Sequence, residues 1–93
     1  MLFNNNPQEE TDVLSATDTA EEQKLVLYND DVNTFDFVIE SLVEVCKHNR
    51  LQAEQCTYII HYNGRCAVKD GDFKQLRPMC EALLDRGLSA TIE

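Results

Sequence analysis

The sequence predicts a small α+β domain, with element order β-α-α-β-α-β and a three-stranded antiparallel sheet beside three helices. Three observations carry that expectation. Apolar residues recur at helical spacing over three separate segments, short β-prone runs separate those segments, and Asn, Asp and Gly stand at the joins. Ninety-three residues are enough for one domain with a limited core.

Residues 1–23 are rich in Asn, Gln, Thr, Ser, Asp and Glu and show no apolar period, so they are expected to form a disordered acidic extension. The folded domain is expected over residues 24–93, beginning with a strand over Lys24–Tyr28. Phe35, Val38, Ile39, Leu42, Val43 and Cys46 then fall on one face of a helix. Asn33 or Thr34 caps that helix, and Asp36 in its first turn faces the positive end of the dipole.

A short polar connection over Lys47–Arg50 leads to a second helix from about Leu51, with Ala53, Cys56, Ile59 and Ile60 on its inner side. It ends at Asn63-Gly64, where glycine takes the left-handed conformation. Arg65–Lys69 forms a second strand and Asp70-Gly71-Asp72 a turn. Phe73, Leu76, Cys80, Leu83 and Leu84 give a third apolar face, interrupted by Pro78. A proline deep in a helix removes a backbone bond, so a loose turn is expected over Phe73–Leu76 and a regular helix from near Arg77–Pro78 to Arg86. Gly87 ends it, and Ser89–Ile92 closes the sheet.

The net charge of −9 is unevenly placed: six of the seventeen acidic side chains lie in residues 1–23, where there is no Lys or Arg. The remainder carries eleven acidic and eight basic side chains and offers no basic face for phosphates, so nucleic acid is excluded as a partner. Cys46, Cys56, Cys66 and Cys80 include no Cys-x-x-Cys pair and read as small buried apolar residues of a reducing compartment. The first residues have neither a basic end nor a long apolar stretch, so a cytoplasmic chain without membrane contact is expected.

The chemistry concentrates in Leu27-Tyr28-Asn29-Asp30-Asp31 and His61-Tyr62-Asn63-Gly64. The first run is the corner between the first strand and the first helix; His61 stands near the end of the second helix, beside Ile59 and Ile60. Each alone has an ordinary structural explanation, since Asn and Asp are common turn and cap residues and a histidine beside isoleucines is commonly a boundary residue. If the two ends meet, an amide, two carboxylates and an imidazole converge beside an apolar wall. That combination suits a small cation with a hydrophobic neighbour, such as the free amino terminus of a peptide. Cys46 with His48 and Cys56 with His61 lack further ligands at zinc-like spacing, so neither metal nor cofactor is expected. No segment forms an oxyanion hole, and no enzymatic activity is expected.

Leu-Tyr-Asn-Asp-Asp, the helix beginning near Phe35 with Phe37-Val38-Ile39, and His61-Tyr-x-Gly resemble, in order and spacing, the signature of the ClpS family of adaptors for the Clp proteases. The resemblance covers residues 24–93 and implies a ClpS-like fold. It also implies an adaptor that binds proteins with bulky hydrophobic N-terminal residues, the N-degrons of the N-end rule, and hands them to a ClpA- or ClpC-type ATPase working with ClpP. By the same resemblance, Asn29, Asp31 and His61, with Asp30 beside them, hold the substrate α-amino group, and Asn33, Phe35, Val38, Thr57, Ile60 and Leu88 form the side-chain pocket.

Phe35 and Thr57 stand where the family commonly has methionine, and Thr34 where proline is frequent, so the side-chain preference is left open. The stretch between His61 and Leu88 is shorter than in typical members, and no ATPase-contact residues are carried over to it. A monomer is expected. The competing reading is an interaction module of the same fold that docks on an AAA+ ATPase or a ribosomal factor without reading amino termini; a thiol enzyme is a third, which requires an exposed cysteine of low pKa.

Overall fold

The computed structural model describes residues 21–93. The expectation of a disordered extension falls almost wholly on residues 1–20, which lie outside the described residues. The elements are β1 (Gln23–Tyr28), α1 (Phe35–Cys46), α2 (Arg50–Asn63), β2 (Arg65–Gly71), α3 (Phe73–Asp85) and β3 (Ser89–Ile92), which gives the predicted β-α-α-β-α-β order. The strands form one antiparallel sheet in the order β2-β1-β3.

β1 is hydrogen-bonded on both edges, and Leu25, Val26 and Leu27 are all buried. Leu25 and Leu27 point into the core that the helices cover, with Ile39, Leu42, Ala53, Ile60, Leu76 and Leu83. Each fully buried leucine contributes about 1.5–3 kcal/mol relative to an exposed one. Tyr28 ends β1 on the opposite face, opposite Arg65 and Ser89, with the Arg65 guanidinium 5.1 Å from its ring centroid. Glu93 accepts from the Tyr28 hydroxyl and pairs with Arg65 at 2.7 Å, which fastens the chain's last residue across the sheet.

The β1–β2 register slips between Leu25 and Val26, which pair with Lys69 and Ala67 and leave Val68 without a cross-strand partner. The bulge frees the Val68 carbonyl, which lies 2.7 Å from Nε2 of buried His48 in the loop between α1 and α2. Lys69 reaches the same loop and donates to the Cys46 carbonyl at 3.2 Å, satisfying one of the open acceptors at the end of α1.

Local caps account for the helix starts. Thr34 accepts from Phe37 N–H at 3.1 Å, and Asn49 from Gln52 N–H at 2.8 Å. The start of α3 corrects the sequence expectation: Phe73–Leu76 is regular helix, β2 extends to Gly71, and Asp72 is the helix cap rather than part of a turn. Asp72 accepts from Gln75 N–H at 2.8 Å while the Gln75 side chain accepts from Asp72 N–H at 3.0 Å, a reciprocal capping box. Pro78 lies in the second turn, where it removes one bond while its neighbours keep theirs. The helix ends one residue earlier than expected, at Asp85; Gly87 follows at φ +85°, and Leu88 N–H bonds back to the Leu83 carbonyl at 3.0 Å.

Asp72→Ala should therefore cost about 0.5–2 kcal/mol of folding stability. At roughly 4–8 °C per kcal/mol for a domain of this size, thermal unfolding followed by circular dichroism resolves the change. A neutral result would mean that the regular helix starts only at Pro78.

Candidate functional site

The site begins with a turn in α2's exit. Gly64 adopts φ +93°, a left-handed conformation that glycine takes without side-chain strain, and its N–H bonds to the Ile60 carbonyl at 2.9 Å. The chain reverses there into β2, and the Gly64 carbonyl accepts from Asn29 N–H at 2.9 Å. That bond continues the pairing of Tyr28 with Arg65 and sets the end of β1 beside the last turn of α2. The two runs singled out in the sequence consequently share one edge of the domain.

The loop from Asn29 to Thr34 is organised by Asp30. Its Oδ1 accepts from Val32 N–H and Asn33 N–H, both at 2.8 Å, and its Oδ2 accepts from Asn33 Nδ2 at 2.9 Å. Burial works to raise the Asp30 pKa, but the Asn33 backbone N–H, the Asn33 amide and the Val32 N–H outweigh it, and the carboxyl is held below its ordinary value. A group with a lowered folded pKa stabilises above its unfolded value of about 3.9 and loses that contribution as pH falls through the lowered one. The turn is therefore intact at neutral pH. Asn33 also donates through Nδ2 to the Gly87 carbonyl at 3.0 Å, tying the loop to the end of α3.

Asn29, Asp30, Asp31, Asn33, Phe35, Val38, Thr57, Ile60 and His61 line one cavity of about 350 Å³. These are nine of the ten residues the sequence reading named. The tenth, Leu88, is buried and lines an adjoining smaller chamber of about 20 Å³ with Leu27 and Tyr28. The cavity has two unlike sides. Asn29, Asp31 and His61 are exposed, and their side chains make no hydrogen bond with other described residues; Val38, Ile60, Phe35 and buried Thr57 form the wall. Thr57 donates its hydroxyl to the Ala53 carbonyl at 2.7 Å, so its proton is satisfied within α2.

Phe35 and His61 also meet two further aromatic rings, Tyr58 and Tyr62, to which the sequence analysis assigned no role. Phe35 meets Tyr58 edge-on with centroids 5.0 Å apart and His61 at 5.4 Å; Tyr62 meets His61 at 4.8 Å and lies parallel to Tyr58 at 6.2 Å. The signal was present as Tyr58-x-x-x-Tyr62, a helical spacing on a face that also presents His61. These contacts hold the imidazole at the cavity mouth without using its nitrogens.

Two carboxylates and no Lys or Arg line the cavity, so its polar side favours a cation. No group of three or more His, Cys, Asp or Glu among the described residues is placed to hold a metal ion, and no described helix is long and apolar enough to cross a membrane. The four cysteines are free. Burial pushes the Cys46 thiol up to about 11, burial with the neighbouring Cys66 thiol pushes Cys56 up to about 12, and Cys80 is also raised by burial. Thiols held protonated in this way are poor nucleophiles.

The family profile described as "ATP-dependent Clp protease adaptor protein ClpS" matches residues 18–91. ATP-dependent Clp protease adapter proteins ClpS from Campylobacter jejuni strains 81-176 and RM1221 are each 49% identical to this chain over 41 residues, which is 44% of this chain and 43% of theirs. The match thus spans less than half the length of those relatives. The fold is similar to the structure of Agrobacterium tumefaciens ClpS2 bound to L-phenylalaninamide, with a TM-score of 0.73 and 22% sequence identity over 80% of this chain and 96% of that one. With the profile covering most of its length, the chain belongs to the ClpS family of adaptor proteins of the ATP-dependent Clp protease.

Proposed function

We propose that this chain binds proteins whose first residue is bulky and hydrophobic, holding the free α-amino group and the first side chain in one cavity, and delivers them to a ClpA- or ClpC-type ATPase with ClpP. The observation that carries this reading is the two-sided cavity, with uncommitted Asn29, Asp31 and His61 facing an apolar wall of Val38 and Ile60. An α-ammonium group has three protons to donate, and the cavity offers it an amide oxygen, a carboxylate and an imidazole nitrogen. The cavity is open, as a reader of amino termini requires. The ligand of Agrobacterium ClpS2, L-phenylalaninamide, points the same way: it carries a free α-amino group, an aromatic side chain and an amide, like the first residue of a peptide.

The energetics suit an adaptor. Three hydrogen bonds to a charged group contribute about 4.5–9 kcal/mol, and burying one Leu or Phe side chain adds about 1.5–3. Association costs of at least about 4 kcal/mol leave roughly micromolar binding at best, weak enough to release cargo.

A peptide beginning with Phe or Leu should bind, and its N-acetylated form should bind at least about a thousandfold more weakly, because acetylation removes the charge and two of the three donors. Fluorescence anisotropy with labelled peptides measures both. Affinity should also fall as pH rises above about 8, where a free α-amino group loses its proton. Equal affinity for the two forms would defeat the reading.

The two aspartates should separate. Asp31→Ala should weaken binding roughly ten- to a hundredfold with an unchanged melting temperature, since that exposed carboxylate has no structural partner among the described residues. Asp30→Ala should lower the melting temperature as well as the affinity, because it removes three bonds that shape the loop. Calorimetry and peptide titration on both variants distinguish the roles.

Delivery is tested through residues 1–22. Their acidic, aperiodic composition suits a segment that an ATPase grips, so deleting Met1–Glu22 should leave peptide affinity unchanged and abolish degradation of an N-degron substrate by reconstituted Clp protease. Full degradation with the truncated chain would assign the handover to the folded surface.

A further inference from the structure

A second, smaller chamber adjoins the cavity. The smaller chamber shares Asn29, Asp30, Asn33, Val38 and Ile60 with the larger cavity and adds Leu27, Tyr28 and Leu88 toward β1. Its volume of about 20 Å³ is the space that one water, or one ligand atom of that size, occupies. A ring held against Val38 and Ile60 therefore has room for one further atom beside it, because those two residues line both spaces.

The polar residues shared by the two spaces are not equally free. Asn29 belongs to the group facing the ammonium, and Asp30 spends its carboxylate on the loop. Asn33 is different. Its Nδ2 donates to Asp30 Oδ2 at 2.9 Å and to the Gly87 carbonyl at 3.0 Å, and a carboxylate and a carbonyl are acceptors only. The chemistry of these two partners fixes the amide with its nitrogen toward both and Oδ1 turned away. Oδ1 has no hydrogen bond with the described residues and is not sealed from solvent, so it remains an open acceptor on a residue that lines both spaces.

We propose that Asn33 Oδ1 accepts the phenolic O–H of a tyrosine in the first position, with the tyrosine oxygen seated in the smaller chamber, so that the chain prefers tyrosine to a ring of equal size without a donor. The inference rests on the reading that the larger cavity takes the first side chain. A buried hydroxyl without a partner is costly, and Asn33 is the residue that relieves the cost there. A ring bearing a methyl group in place of the hydroxyl would displace water from Oδ1 and return no hydrogen bond.

The test uses the full chain and peptides that differ only in the first residue: phenylalanine, tyrosine, 4-methylphenylalanine and 3-hydroxyphenylalanine. Tyrosine should bind roughly five- to fiftyfold more tightly than 4-methylphenylalanine. Moving the hydroxyl to the meta position should remove the gain, because it takes the oxygen out of the chamber. In Asn33→Ala the ratio of tyrosine to 4-methylphenylalanine affinity should fall to within about twofold, whatever happens to the absolute affinities. Equal binding of tyrosine and 4-methylphenylalanine, a gain that survives in the meta isomer, or a ratio that persists in Asn33→Ala overturns the assignment. A chain that fails to bind the phenylalanine peptide overturns the amino-terminus reading itself, whereas one that binds it and treats tyrosine and 4-methylphenylalanine alike overturns only the role of Asn33. If Asn33→Ala does not fold, the meta and methyl comparisons on the unaltered chain decide.

Discussion

The hydrogen bond from Asn29 N–H to the Gly64 carbonyl is the constraint on which the site depends. It is one bond beyond the last β1–β2 pair, Tyr28 with Arg65, and it exists because Gly64 turns the chain from α2 straight into β2. Without a left-handed residue at that position, α2 and β2 could not be joined so tightly, and His61 would not stand over the loop that begins at Asn29. A residue with a Cβ meets no neighbour there, so the requirement is conformational rather than steric crowding. The sheet register and the helix exit thus act together to convert two distant sequence runs into one cavity.

Within that frame the polar residues divide their work. Asp30 and Asn33 commit four hydrogen bonds, counting those from the Asn33 backbone N–H and Val32 N–H, to shaping the loop and binding it to Gly87. Asp31, Asn29 and His61 are left uncommitted at the mouth. A carboxylate that faces out keeps its lone pairs for a ligand, whereas one that must organise backbone donors has few left. Adjacent aspartates of the same type therefore differ in role because one faces its own loop and the other faces out.

Much of this was legible in the sequence, for reasons that can be stated residue by residue. The α1 face from Phe35 to Cys46 repeats at helical spacing, β1 is a short apolar run, and Asn63-Gly64 is a strong helix stop. Nine cavity residues followed from the pattern and the family resemblance together. The start of α3 differs from the expectation because Pro78 argues against a helix there, whereas the Asp72-x-x-Gln75 box, also in the sequence, starts one. A proline in the second turn removes one bond, and the box supplies two at the end where the helix needs them. The Val68 bulge and the Asn33–Gly87 bond were not legible, because both depend on which residues arrive across the sheet or 54 positions away.

The cavity's floor is also the core's edge. Ile60 and Leu88 are buried, packed with the residues that hold the helices on the sheet, and the same side chains face the cavity or the chamber beside it. Close packing fixes such residues in position, because any shift opens gaps that forfeit contacts on the core side. The polar mouth is held instead by hydrogen bonds, those of the Asp30–Asn33 turn and those from Asn33 to Gly87 and from Asn29 to Gly64, and by the ring contacts among Phe35, His61 and Tyr62. The domain therefore joins a floor held by the core to a mouth held by a few hydrogen bonds and ring contacts. That distribution suits a small domain, since a second core to stiffen the mouth would need more chain than one small domain supplies.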